Sequence, residues 1–193
     1  MTSPGPEAIL EALAGHGVDF VIIGGLAAVA HGSRRMTRDI DVVVSPDDDN
    51  LARLERVLRD LGAVQLVEHA GEKEIEPADI AMIALGSMLH TRSPAGRLDV
   101  VGVPAGAAPY PQLKRRAISS KVGDVQVMVA GLDDLIAMRR ASGRPLDLQD
   151  IADLTARPTP KDVPRPWARR PAAAPPAAPA SPPPRRPTGP SPR

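Results

Sequence analysis

Three aspartates and a pair of glycines are the residues best placed by type and spacing to do chemistry. Asp39 and Asp41 flank Ile40 at the head of an apolar run that continues to Val44. Side chains two apart in a strand share a face, so both carboxylates point one way while Ile40, Val42 and Val44 point into a core. Asp99 sits in a second alternating run, between Leu98 and Val100, and adds a third carboxylate if the two strands are neighbours. Gly24-Gly25 closes the apolar run Phe20 to Ile23. Two residues without a Cβ let the backbone turn and approach a ligand, and the helix that follows offers free N–H groups to an anion. Magnesium binds through one or two carboxylates plus substrate phosphates. Acids beside a phosphate turn therefore imply a metal-bound nucleoside triphosphate.

These residues need a sheet to carry them and helices to cover it. Pro6 onward, with Ile9, Leu10 and Leu13 on one face, reads as a short amphipathic helix ended by Gly15 and Gly17. A strand follows over 18–23, then the glycine turn, a helix over 26–30, a basic loop with Arg34, Arg35 and Arg38, and the acid-bearing strand. Ser45-Pro46-Asp47-Asp48-Asp49 reads as a helix start, with the serine as cap and Pro46 at the first helical position. Leu51, Leu54, Val57, Leu58 and Leu61 then recur at helical spacing. A short strand is expected over 64–67, and 77–85 fits a helix or a strand. The turn Ser93-Pro94-Ala95-Gly96 predicts a hairpin between 88–92 and 97–103. Helices are expected over 110–117, 132–141 and 146–154, and Gly123-Asp124 should join strands 118–122 and 125–130. The predicted class is α+β, a mixed sheet flanked by helices.

Composition divides the chain in two. Of its 23 prolines, 14 lie between Pro158 and Pro192, a stretch with almost no branched apolar residue. Such a segment has nothing to bury and is expected to be disordered. Residues 1–157 carry 17 Lys and Arg against 22 Asp and Glu, and residues 158–193 carry 7 against 1, so an acidic body precedes a basic tail. The expected organisation is one domain over 1–156 and a Pro/Ala/Arg-rich tail over 157–193. The absence of cysteine excludes a disulfide framework and a thiolate metal site. With no apolar run near 18 residues and no leader pattern, the expectation is a soluble, cytoplasmic protein without membrane contact.

Gly24-Gly25-Leu-Ala, His31-Gly32, Arg35, Thr37, Asp39-Ile40-Asp41 and Arg97-Leu98-Asp99 resemble the nucleotidyltransferase superfamily with the polymerase-β-like fold. Residues 132–150 resemble, within it, the bacterial group related to the AbiEii abortive-infection toxins, in which a basic residue precedes Gly-Arg-x-x-Asp-x-x-Asp. The resemblance spans roughly residues 15–155.

It implies an enzyme that moves a nucleoside monophosphate from a triphosphate to an acceptor hydroxyl and releases pyrophosphate. Asp39, Asp41 and Asp99 would be the catalytic and metal-holding residues, taking two magnesium ions, and Asp99 would help deprotonate the acceptor. Gly24 and Gly25 would admit the phosphates. Arg35 would contact nucleotide, Arg139 or Arg140 would supply positive charge, and Asp147 and Asp150 would close the pocket or fix the arginines. The group's usual lysine is here an arginine, Arg139, and a basic position after Gly-Arg-Pro is Leu146. RNA is the expected acceptor and a cognate antitoxin an implied partner. The alternatives are an antibiotic- or metabolite-modifying transferase, and a non-catalytic nucleotide-binding module of the same fold. His16, His31, His69 and His90 receive no catalytic role, because their spacing suggests none.

Overall fold

The computed structural model describes residues 5–33, 37, 39–155 and 162–163, with nothing to be said of the side chains of 148, 149, 153, 162 and 163. Seven helices and nine strands alternate along this stretch: α1 (Pro6–Gly15), β1 (Phe20–Ile23), α2 (Gly24–Ala30), β2 (Ile40–Val44), α3 (Asp48–Asp60), β3 (Val64–Val67), β4 (Gly71–Lys73), α4 (Pro77–Ala84), β5 (Met88–Ser93), β6 (Gly96–Val101), α5 (Tyr110–Arg116), β7 (Ile118–Val122), β8 (Val125–Val129), α6 (Leu132–Ser142), α7 (Pro145–Thr155) and β9 (Asp162–Val163). One mixed sheet runs β4-β3-β5-β6-β2-β1-β8-β7-β9. The expected α+β class is thus the observed one. The helix-or-strand ambiguity over 77–85 resolves to helix, where Pro77 takes an early helical position and Glu76 and Asp79 close a reciprocal capping box. Most of the predicted tail lies outside the described residues, apart from β9, which runs parallel to β7.

Two clusters of buried side chains sit on opposite faces of the sheet. Phe20, Ile22, Ile40, Val42, Val44, Leu98 and Val100 face one side and pack with Leu10 and Leu13 of α1, Leu26 of α2, Leu54 and Leu58 of α3 and Ile80 and Ile83 of α4. The opposite face carries Val21, Ile23, Val43 and Val101, covered by Leu113 of α5 and Met138 of α6. Strand alternation puts Asp41 and Asp99 on this second face, one pleat beyond Val43 and Val101. The acids therefore stand on an apolar floor rather than on a wholly open sheet.

Two local details differ from the sequence expectation. The cap of α3 is Asp47, whose Oδ1 accepts from the Asn50 N–H at 2.9 Å, while Ser45 Oγ donates to Asp47 Oδ2 at 2.6 Å. The carboxylate reaches the free helix N–H directly and the serine supports it, so α3 begins two residues later than a serine cap would place it. Exposed Asp47 is also held below the usual carboxylate range, first by the Ser45 hydroxyl and then by the Asn50 N–H. Asp47→Ala is expected to lower the Tm by a few degrees, which thermal denaturation reads. The other difference is β4, three exposed residues with no branched apolar side chain, which only its pairing with β3 reveals.

Candidate functional site

The register of three adjacent strands assembles the acids. Antiparallel β1 and β2 set Ile23 opposite Asp41, and parallel β2 and β6 set Asp41 opposite Asp99. Gly24 follows Ile23 without a linker, as the first residue of α2. Its φ of +64° lies in the left-handed region, and a Cβ there would fall 2.7 Å from the Asp41 Cγ. At Gly25 a Cβ would fall 2.8 Å from Thr37 Oγ1. Both glycines are thus demanded by close approach, the first to a carboxylate and the second to a loop hydroxyl, which donates to the Asp39 carbonyl at 3.3 Å.

A cavity of about 800 Å³ opens here. Gly24, Gly25, Thr37, Asp39, Asp41, Asp99, Arg139, Arg144, Asp147 and Asp150 form its polar side, and Met88, Val101, Pro104, Met138 and Leu146 an apolar one. Asp39, one residue before β2, is exposed, and Asp41 is half-buried. Burial, then repulsion from Asp99, and more weakly from Asp39, pushes the Asp41 carboxyl up to about 6, against the pull of the Gly25 N–H and the Arg144 charge.

The second half of the site is a network between α6 and α7. Buried Arg139 donates through Nη1 to Asp147 Oδ1 at 2.8 Å and to Asp150 Oδ2 at 2.5 Å, and its Nη2 lies 3.5 Å from the Gly24 carbonyl. Arg144, its side chain 76% exposed, donates through Nε to the other oxygen of Asp147 at 3.0 Å. Burial raises the Asp147 carboxyl, but hydrogen bonds from Arg144 and Ser142 and the charges of both arginines outweigh it and hold the group below the usual range. The guanidinium of Arg139 is thus engaged by two carboxylates, and Arg144 is the more exposed cation on the cavity wall.

The structure brings Gly24, Gly25, Asp39, Asp41, Asp99, Arg139, Asp147 and Asp150 to one cavity. Arg140 is not brought there: one position further around α6, it faces solvent. Arg35 lies outside the described residues. Two residues that sequence reasoning left without a role belong to the surroundings. Arg144 lines the cavity, as the arginine of the Gly-Arg segment could have suggested. His90 faces Asp99 across β5 and β6, its Nδ1 3.1 Å from Asp99 Oδ2 in an ion-pair approach without hydrogen-bond alignment. Counting back from the 93–96 turn gives that pairing from sequence.

Among the described residues, no three histidine, aspartate or glutamate side chains form a group able to hold a metal ion by themselves. The donor set still fits a divalent cation. The buried Oδ1 of Asp99 has no hydrogen-bond partner among the described residues, and the repulsion felt by Asp41 is what a cation would relieve. Magnesium asks for one or two carboxylates and takes its remaining ligands from phosphate and water, so a closed protein cage is not required.

With this geometry in place, the family model for the nucleotidyl transferase AbiEii toxin of type IV toxin–antitoxin systems matches residues 8–154. The chain belongs to the AbiEii family. It is a nucleotidyltransferase, and the matched span takes in every described element from α2 to α6. Among curated proteins none matches this AbiEii-family chain by sequence. Among solved structures it is similar to the lincomycin-bound lincosamide antibiotic adenylyltransferase LnuA, at a TM-score of 0.53 and 16% identity over 81% of this chain and 98% of that one. The solution structure of the antibiotic-resistance factor ANT(2'')-Ia superposes at a TM-score of 0.50 and 18% identity, over 78% of this chain and 80% of that one. At such identities the likeness speaks for the shared fold. No helix among the described residues is long and apolar enough to cross a membrane.

Proposed function

We propose that this AbiEii-family chain transfers a nucleoside monophosphate from a nucleoside triphosphate to an acceptor hydroxyl and releases pyrophosphate. The observation that carries the reading is the direct pairing of Asp41 with Asp99 beside a glycine turn packed against the Asp41 carboxylate. Asp39, Asp41 and Asp99 would hold magnesium, which when bound offsets the negative charge of the triphosphate during the displacement. Gly24 and Gly25 leave room for the β and γ phosphates against the backbone, and Arg144 offers an exposed charge to them. Arg139 ties α7 to the glycine turn. The acceptor oxygen bonds to the α-phosphorus as the bond to the bridging oxygen breaks, and Asp99 is placed to receive the hydroxyl proton. The apolar wall of Met88, Val101, Met138 and Leu146 suits the face of a nucleobase. Arg35 is retained as a nucleotide contact on the strength of the family pattern, and residues 157–193 as a basic tail.

RNA is the favoured acceptor, and a cognate antitoxin the implied partner of a toxin of this family. A small hydroxylated, cationic acceptor is the second reading, favoured by five carboxylates in one cavity with an apolar wall and by a fold shared with antibiotic adenylyltransferases. The test is incubation with α-labelled triphosphates, magnesium, and cellular RNA or small aminated sugars. Label should move to an acceptor, and the movement should vanish in Asp39→Ala and Asp41→Ala; transfer that survives both changes contradicts the reading. Deleting residues 158–193 should weaken transfer to RNA and leave transfer to a small molecule intact.

A further inference from the structure

The large apolar side chains that this fold leaves exposed are not scattered. Among the described residues they are Met82, Leu85, Met88, Val103 and Leu146, and they gather beside one edge of the cavity, which Met88 and Leu146 also line. α4 buries Ile80 and Ile83 and, by helical spacing, turns Met82 and Leu85 outward together. The Gly102 N–H donates to the Ser87 carbonyl at 2.9 Å, and a Cβ at Gly86 would fall 3.5 Å from Val103 Cγ2, so the end of α4 and the segment after β6 lie side by side. That segment is pinned at two points. A Cβ at Gly102 would fall 2.8 Å from Gly86 Cα, and one at Gly106 would fall 2.6 Å from the Ala137 carbonyl oxygen of α6. Backbone packing this close fixes the segment while apolar side chains face out, Val103 69% exposed and Leu85 78%.

The same surface carries no charge. Residues 80–89 and 100–113 hold no aspartate, glutamate, lysine or arginine, in a chain of which these make up 24%. Monomeric proteins rarely expose a contiguous apolar patch larger than a few hundred Å², and depletion of charge marks the core of a protein–protein interface. A second copy of this chain is the occupant that the charge distribution favours. Two-fold symmetry sets a patch against itself, and a face without charge does so without opposing like charges. Elsewhere residues 1–157 carry 22 acidic against 17 basic side chains, so copies repel.

We infer that the surface built by residues 80–89 and 102–109, with Leu146, is the contact of a two-fold homodimer. The second copy covers Leu85 and Val103 and borders the cavity at Met88 and Leu146. Assembly of this kind needs neither nucleotide nor acceptor and is independent of the transfer reaction.

The experiment is sedimentation equilibrium of the full chain, which reads mass irrespective of shape. The expected mass is twice the 20.3 kDa of one chain. It should persist at about 1 M salt, because apolar contact is not screened. Leu85→Glu/Val103→Glu puts charge where the second copy would bury it, and the dissociation constant should rise at least about a hundredfold. Both positions are exposed and outside the cavity lining, so circular dichroism should match wild type. Mixing this variant with Leu85→Lys/Val103→Lys at low salt should restore the dimer mass, a result that misfolding cannot give. Monomeric wild type up to about 100 μM, an undiminished dimer in the glutamate variant, or variants that stay apart when mixed overturns the inference. So does association that about 1 M salt abolishes, the behaviour of a basic tail on an acidic body. Each of these results leaves the transferase reading untouched, since labelled-triphosphate transfer measures that separately.

Discussion

Asp41→Asn lowers nucleotidyl transfer by at least about a hundredfold to a thousandfold and at the same time raises the Tm of the metal-free protein at neutral pH. The first effect is the loss of the charge that the proposed function assigns to Asp41 at the reacting centre, of the order measured when one preorganised electrostatic group is removed. The second follows from the raised pKa. The Asp41 carboxyl titrates near 6 in the fold against an ordinary value of 3.8, so between those values the folded state binds more protons than the unfolded chain. This group's contribution to stability is therefore fully present below about pH 4 and is lost as pH rises through about 6. Above that, ionised Asp41 faces Asp99 and Asp39, and the native state carries the repulsion. Asparagine removes it. Added magnesium should raise the Tm of wild type at pH 7.5 and leave that of Asp41→Asn nearly unchanged. A variant as active as wild type, or less stable than it at neutral pH, contradicts this placement of the charge.

Arg139→Ala has the largest expected effect on stability. Asp147 and Asp150 are both buried, and both accept from the same guanidinium nitrogen. Removing one partner of a buried ion pair costs about 3 to 5 kcal/mol, and the lower end is expected here because Arg144 still donates to Asp147. For a domain of this size that is a fall in Tm of about 10 °C, read by thermal denaturation. Arg139→Lys should fall between wild type and alanine, since an ammonium restores charge but not the planar fork that serves two carboxylates and reaches toward Gly24. The same clamp gives Arg139 a structural role, with the more exposed charge of Arg144 at the cavity wall. A melting temperature within a degree or two of wild type in Arg139→Ala would show that α7 is held by its apolar contacts alone.

Much of this site was legible before any coordinates. Alternation alone put Asp41 and Asp99 on strands with buried aliphatic neighbours, and the 93–96 turn fixed the hairpin that carries Asp99. Sequence could not show that β2 and β6 are parallel neighbours, because strands from distant segments pair according to the whole sheet. Nor could it show that Val43 and Val101 put an apolar floor beneath the acids, since both faces of these strands are covered at one end and only one at the other. The role of Arg139 was ambiguous for a related reason. In the sequence both Arg139 and Arg140 stand as sources of positive charge, although Leu132, Leu135 and Arg139 share one helical face, and the docking of α7 shows Arg139 to be the one turned inward. Ser45 as cap failed on a finer point, the preference of a helix N–H for the carboxylate two residues on.

Divalent-ion binding in the presence of a non-hydrolysable triphosphate tests the central claim most directly, with manganese as a paramagnetic stand-in for magnesium. The predicted result is saturable binding to wild type that Asp41→Asn and Asp99→Asn each weaken by tenfold or more. Equal binding by wild type and both variants, or none by wild type with nucleotide bound, would contradict the assignment of the acids at 39, 41 and 99.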